Sequence, residues 1–239
     1  MNLILFAANE VAQSLPSADP RAQHILRVLR RRTGDTFDAG LINGPRGKGT
    51  LVAVHPDFLD LVFQWGALPP PPDPISLLVG LPRPQTARAI LRDATSLGVA
   101  ALHFVATEKG EPGYLRSTLW QGGEWHRQLL AGAAQAFCTR LPSVTFGQPL
   151  MDAISTLTVG GARIVLDNYT ATQPLSRCAL PRDSSIALAF GPERGWSDLE
   201  RTLLRTRGFA FAHLGPRVLR AETAVVAALT LLKSKLGSL

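Results

Sequence analysis

From residue 75 onward the chain alternates short, almost wholly apolar runs with segments whose apolar residues recur every three or four positions. Ile75–Gly80 (ISLLVG), Ala101–Ala106, Ala162–Leu166, Ser185–Phe190 and Ala210–Leu214 read as strands buried on both faces. Between and after them, four segments carry helical spacing. These are Thr86–Leu97, stopped at Gly98; Leu119–Phe137, interrupted at Gly122-Gly123; Ser197–Arg207; and Arg220–Leu236. Strands that alternate with helices in this way predict an α/β fold on a mainly parallel sheet.

The first part of the chain has a different rhythm. Leu3–Ala8, Thr36–Ile42, Thr50–His55 and Leu61–Trp65 are short β-like runs, with a glycine-rich turn expected at Asn43–Gly49. One helix interrupts them, with Asp19 as N-cap, Pro20 at the first helical position and Gly34 at the C-terminal cap. Short strands and glycine turns predict a small β-barrel over residues 1–68. Residues 69–74 (PPPPDP) form a stiff polyproline spacer, which sets the expected linker, and 75–239 make the second domain.

Composition narrows the function. Apolar residues make up 46% of the 239, an ordinary globular proportion. Cys138 and Cys178 lie far apart and are expected as free thiols of a reducing compartment. The N-terminal MNLILFAANE lacks a basic region and its apolar run is short for a signal peptide, so the expected location is the cytoplasm, with no membrane partner. The five histidines are scattered and no cysteine–histidine cluster occurs, so no metal site is expected. A phosphate-binding Walker loop and a dinucleotide glycine fingerprint are also missing, which argues against nucleotide hydrolysis and hydride transfer.

The net charge of +7 favours a polyanionic partner. The basic segment Arg21–Arg32 (RAQHILRVLRRR) would, as a helix, set Arg27, Arg30 and Arg31 on one side, opposite an apolar stripe. With Arg46 and Lys48 they would line a phosphate-binding surface. A solvated helix face is the plainer alternative.

Two segments near the C-terminus are the most specific. Leu188–Trp196 (LAFGPERGW) and His213–Ala224 (HLGPRVLRAETA) each pass from an apolar strand through a Gly-Pro turn toward a helix. Such turns bring backbone amides to a ligand outside the carboxyl ends of strands, so two of them suggest two walls of one pocket. Arg217 and Arg220 are expected at a helix start, where the helix dipole disfavours cations, and arginines there await an anion or a carboxylate. Glu222 suits a first helical turn without any chemical role. An Arg220–Glu222 pair that only fastens the loop is the structural alternative.

These two segments, and His24–Arg30 with its trailing Gly34-Asp35, resemble the RsmE-type 16S rRNA (uracil-N3) methyltransferases of the SPOUT superfamily. The resemblance implies a trefoil-knotted, mainly parallel α/β domain preceded by a PUA-like barrel, a homodimer, S-adenosylmethionine as methyl donor, and ribosomal RNA of the small subunit as partner. It implies a donor site at three loops, with Leu166, Phe190, Gly191, Glu193, Gly195, Leu214, Gly215, Val218 and Leu219 in contact. It also implies RNA contacts at Arg27, Arg30, Arg31, Arg140 and Arg217.

For N3 methylation a proton must leave the base, which nominates Glu222 as the proton acceptor and Arg220, or alternatively Arg217, as the group that stabilises the developing imide anion. This chain departs from the family pattern at Asp93, Ser96, Ala134, Arg194 and Ala221. Two alternatives stay open on the residues alone. One is a knotted methyltransferase acting on another RNA position, such as a ribose 2′-hydroxyl. The other is a non-catalytic RNA-binding or assembly protein.

Overall fold

The structure, a computed structural model, describes residues 3–157, 160–180 and 185–238. Two compact units emerge, the first from Met1–Pro71 with Leu130–Leu141, the second from Pro72–Leu129 with Pro142–Leu239. Residues 130–141, expected within 75–239, therefore group with the first unit.

In the first unit, strands β1 (Ile4–Phe6), β2 (Leu15–Pro16), β3 (Thr36–Leu41), β4 (Arg46–Val54) and β5 (Phe58–Trp65) form one sheet in the order β1-β3-β4-β5-β2. Only β1 and β3 run parallel; the other neighbours are antiparallel. Inward residues Phe6, Leu15, Ile25, Phe37, Leu51 and Leu59 meet in one core, with Phe6 edge-on to Phe63 at 4.8 Å.

The expected turn at Asn43–Gly49 is shorter than the glycines suggested, because Arg46–Gly49 belongs to β4. Those glycines answer to packing. A Cβ on Gly49 would sit 2.4 Å from the Phe37 ring, and one on Gly47 would sit 2.1 Å from the Gln64 carbonyl. Lys48 pairs with Asp38 at 2.6 Å, and Arg46 donates to the Phe137 carbonyl at 3.2 Å. Each of the two expected phosphate-surface cations thus has one partner within the unit.

Helix α1 (Pro20–Gln23) begins as the sequence indicates, the Asp19 carboxylate accepting the Arg21 N–H at 2.7 Å. It ends sooner. A wider π turn over His24–Val28 puts the Leu29 N–H on the His24 carbonyl, and Arg30 takes the left-handed conformation (φ 53) that closes the element. Arg30 and Arg31 thus lie beyond the helix rather than on one face with Arg27. Gly34 (φ +93) serves the turn into β3, its N–H donating to Leu51.

The second unit holds β6 (Asp73–Gly80), α2 (Pro84–Ser96), β7 (Val99–Ala106), α3 (Thr118–Gln121), α4 (Glu124–Gln135), β8 (Ser143–Pro149), α5 (Leu150–Ser155), β9 (Ala162–Leu166), β10 (Ile186–Phe190), α6 (Asp198–Thr206), β11 (Ala210–Ala212) and α7 (Ala221–Leu236). The C-terminal part of α4 counts with the first unit. The sheet order is β11-β9-β10-β6-β7-β8 and every neighbouring pair is parallel.

β6 starts at Asp73, two residues inside the expected linker, so Pro74 stands in a central strand. It is tolerated because the register shifts between Asp73 and Ser76. Lys233 of α7 is buried, with its ammonium on the Asp73 carboxylate and 2.9 Å from the Leu97 carbonyl, and this ties the last helix to the start of β6.

From β6 the chain steps outward to β7 and β8; from β10 it steps the opposite way to β11 by way of β9's far side. The order therefore reverses between β6 and β10, and the crevice at their carboxyl ends is the switch point where parallel α/β sheets take ligands.

Candidate active site

At that switch point the second unit encloses a cavity of about 370 Å³, within the size range of small-molecule sites. Three loops and two helix starts frame it. The backbones fit closely there: a Cβ on Gly80, the last residue of β6, would come 2.5 Å from Pro192 Cδ.

The first loop follows β9. The Asp167 side chain is 1% exposed and accepts the N–H groups of Tyr169 (2.7 Å) and Thr170 (3.1 Å), which folds the chain into a compact turn. Its other oxygen takes the Arg201 Nε at 2.6 Å, and the guanidinium also donates to Asp198 at 2.9 Å. The same cation lies 5.4 Å from the centre of the Tyr169 ring. A buried carboxylate is thus matched by a buried arginine, as burial of charge requires.

The second loop is Gly191–Trp196. Gly195 adopts φ +67 and donates its N–H to the Pro192 carbonyl at 2.8 Å. A Cβ at Gly191 would press on Gly195 Cα at 3.0 Å and on Trp196 N at 3.1 Å. Both glycines are therefore needed for the bend itself. Glu193 turns back and accepts the Arg83 N–H at 3.0 Å.

The loop's exit is fixed by a capping box, Ser197 with Glu200, which starts α6 as the sequence indicates. Glu200 also accepts the Glu108 N–H at 2.9 Å, and Lys109 donates to the Trp196 carbonyl at 2.9 Å, so the loop after β7 braces the one after β10.

The third loop runs from Leu214 to Arg220. Gly215 (φ +112) donates its N–H to His213 Nδ1 at 3.0 Å, which makes that nitrogen an acceptor and leaves the ring's proton on Nε2. Arg220 is the N-cap of α7, with extended backbone, and Glu222 lies in the first turn. Arg217 and Arg220 are exposed, and neither guanidinium has a hydrogen bond or ion pair among the described residues. The Arg220–Glu222 pair expected as a loop fastener is not formed among them.

Eight of the nine expected donor contacts line the cavity: Leu166, Phe190, Gly191, Glu193, Gly195, Leu214, Val218 and Leu219. The ninth, Gly215, shapes the third loop from behind. Arg217, Arg220 and Glu222 stand at the same cavity. Arg194 is exposed and does not line it.

Arg27, Arg30 and Arg31 are exposed in the first unit, away from any ion pair among the described residues. Arg140, expected on RNA, is half-buried and spends its guanidinium on the carbonyls of Asn43 (3.3 Å) and Pro69 (3.4 Å). Sequence reasoning missed Arg83, Thr86 and the pairing of Asp167 with Arg201. Among the described residues no group of three or more His, Cys, Asp or Glu is placed to hold a metal ion, and no helix is long and apolar enough to cross a membrane.

Comparison with known proteins bears on the same segment. The RNA methyltransferase domain family matches residues 69–233, which include every residue of the cavity. Ribosomal RNA small subunit methyltransferase E of Treponema pallidum is 37% identical over 95% of this chain and 89% of its own length. The protein called ribosomal RNA small subunit methyltransferase E 1 in Borreliella burgdorferi is 26% identical over 99% of each. Among solved structures, ribosomal RNA small subunit methyltransferase E of Neisseria gonorrhoeae, bound to S-adenosyl methionine, superposes with a TM-score of 0.82 at 21% identity, over 98% of both chains. With a relative this similar along nearly its whole length, the chain belongs to the RNA methyltransferase domain family, in the group of the ribosomal RNA small subunit methyltransferase E proteins.

Proposed function

We propose that this protein methylates N3 of a uridine in small-subunit ribosomal RNA, using S-adenosylmethionine. The observation that carries the reading is one cavity at the switch point of a parallel sheet, with Arg217 and Arg220, unpaired among the described residues, and the Glu222 carboxylate at its edge. The residues fit such a donor. Leu166, Phe190, Leu214 and Leu219 offer apolar surface to a flat base, and the Gly191–Gly195 bend leaves backbone groups free of side-chain cover. When bound, the donor supplies an electrophilic methyl group on a sulfonium sulfur.

The remaining work falls to the chain. A uracil N3 bears a proton and is a poor nucleophile, so its nitrogen must be unmasked as methylation proceeds. Glu222 takes that proton, and Arg220 hydrogen-bonds the uracil carbonyl oxygens on which the negative charge grows. Arg217, exposed at the same rim, holds an RNA phosphate. In the first unit Arg27, Arg30 and Arg31 add sequence-independent phosphate contacts. Arg140 is left out of this surface because both its terminal nitrogens already donate to carbonyls inside the first unit.

The same reading takes the first unit as a PUA-like RNA-binding barrel, and the second as a trefoil knot. Support for the knot is the pairing of Pro174 with His213, together with the Lys235 ammonium on the Ser176 carbonyl at 2.8 Å, which draws the loop after β9 over the chain that leads into α7. A homodimer would cover the apolar side chains that stand exposed beside the cavity, Val218 at 84% and Tyr169 at 79%. A ribosomal RNA substrate places the protein in the cytoplasm.

Mass spectrometry of nucleosides from small-subunit RNA incubated with protein and donor tests the reaction. N3-methyluridine is the expected product. A methylated ribose, or no product from protein that binds the donor, overturns the assignment.

A further inference from the structure

Resting on this reading, we propose that Arg83 is a substrate-binding residue that holds a backbone phosphate of the RNA beside the target nucleotide. The arginines of this chain fall into two sets, those whose donors are consumed inside the fold and those left open. Arg88 is bidentate on Glu124 at 2.7 and 2.8 Å, Arg21 is held by Glu10 and Asp19, and Arg201 by Asp167 and Asp198.

Arg83 is held differently. Its main-chain N–H is fixed on the Glu193 carboxylate at 3.0 Å. Its side chain has only a 3.3 Å contact from Nε to the Thr86 hydroxyl, and Nε stands 4.0 Å from Glu193. Neither terminal guanidinium nitrogen has a hydrogen bond among the described residues. The backbone is thus pinned while the charged end, 49% exposed, stays free.

Position selects the ligand. Arg83 lines the same cavity as Arg217 and Arg220 but enters it from the loop between β6 and α2. Three arginines from two separate loops converge on one opening, and among the described residues no carboxylate is bound to their terminal nitrogens. Glu193, the nearest acid, is committed to the main chain of Arg83. A half-exposed guanidinium at a rim faces a polymer that stays outside the cavity. A donor enclosed within the cavity would call for a more buried cation. The planar fork of arginine also matches a phosphodiester in two-point contact.

Fluorescence anisotropy with a labelled, single-stranded, uridine-containing 20-nucleotide RNA, measured from low to moderate salt, tests this whether or not the RNA is methylated. Loss of one phosphate contact in Arg83→Ala should weaken binding several-fold and reduce the slope of log K against log salt by about 0.7. Arg83→Lys keeps the charge and should restore the slope. The donor's dissociation constant, read by calorimetry, should be the same for all three proteins.

A wild-type slope in Arg83→Ala overturns the proposal. So does a tenfold loss of donor affinity with the slope unchanged, which would give Arg83 to the donor instead. If Arg83→Ala does not fold, the lysine variant decides: retention of the wild-type slope supports the contact, and a fall by the full 0.7 despite the retained charge refutes it. A wild-type protein that binds this RNA but forms no N3-methyluridine removes the proposed reaction and leaves the arginine contact standing.

Discussion

Arginines on two sides of one cavity meet opposite fates. Arg201, behind the loop after β9, is 9% exposed and locked on Asp167, itself 1% exposed. Arg217 and Arg220, in the loop before α7, are exposed and without partners among the described residues. The chemical group is the same, so the difference lies in what surrounds it. A cation that shapes the site is satisfied by the protein, since a buried unpaired charge is expensive. A cation that serves a ligand is left open, and at a helix start it even works against the helix dipole. Stability and activity should therefore separate cleanly between the two sides.

The largest effect is expected where the pair is closed. Asp167→Ala removes one partner and leaves the Arg201 charge with only the solvent-exposed Asp198. Breaking a buried pair in this way costs about 3–5 kcal/mol, and the turn through Tyr169 and Thr170 loses its acceptor as well. Urea denaturation should show the loss, and donor binding should fall with it. An Asp167→Ala protein as stable as the wild type would mean that the pair does not build the wall.

On the open side the expectation inverts. Arg220→Ala should stay within roughly 0.5 kcal/mol of wild-type stability, as exposed positions without partners do. Its kcat should drop by about 10²–10³, the range for removal of one donor to a developing anion. Glu222→Gln should cost about 10²–10⁴ in rate if the carboxylate takes the proton. Steady-state kinetics beside thermal melting separates the two quantities. A melting loss in Arg220→Ala without a kcat loss would move Arg220 to the structural set, and an unchanged rate in Glu222→Gln would leave Glu222 as a helix-start residue only.

The sequence made one side of this comparison far more visible than the other. The glycine bends and the rim arginines stand within two short segments, Leu188–Trp196 and His213–Ala224, so their pattern is local and readable. The Asp167–Arg201 pair joins residues 34 positions apart, and nothing near either residue announces the other. His213 was likewise one of five scattered histidines until its Nδ1 met the Gly215 N–H.

Strands follow the same logic. β10 is buried at every position and reads as a strand from its apolar run. β8 is an edge strand, SVTFGQP, with no fully buried residue, and it gives no such run. In β4 the glycines mimic a turn because the Phe37 ring and the Gln64 carbonyl leave no room for a Cβ. The proposed knot has no counterpart in periodicity, which records the face a residue buries and not the path the chain takes.

The smallest effect sharpens the same contrast inside one basic segment, Arg21–Arg32. Arg21 is consumed: it donates to Glu10 at 2.7 and 2.8 Å and to Asp19 at 2.7 and 3.0 Å, while Arg27 has no such partner among the described residues. Hydrogen bonds from Arg21 hold both carboxyls below their ordinary values, against the opposing effect of burial, and these acids in turn raise the Arg21 pKa. A carboxyl whose pKa is lower in the folded state binds fewer protons there than when unfolded. Its stabilisation is complete above the ordinary carboxylate range and disappears as pH falls through the folded value. The groups are partly exposed, so solvent screening limits the contribution to about 0.5–1 kcal/mol. Arg21→Met should therefore lie about that far below wild type in urea titrations near pH 6, and the gap should close as the pH falls below the ordinary carboxylate range. Arg27→Met should show no gap at either end. An Arg21→Met deficit that persists undiminished at pH 2 would assign the loss to packing of the arginine stem against Phe6, whose ring centre lies 5.0 Å from the guanidinium, and not to the ion pairs.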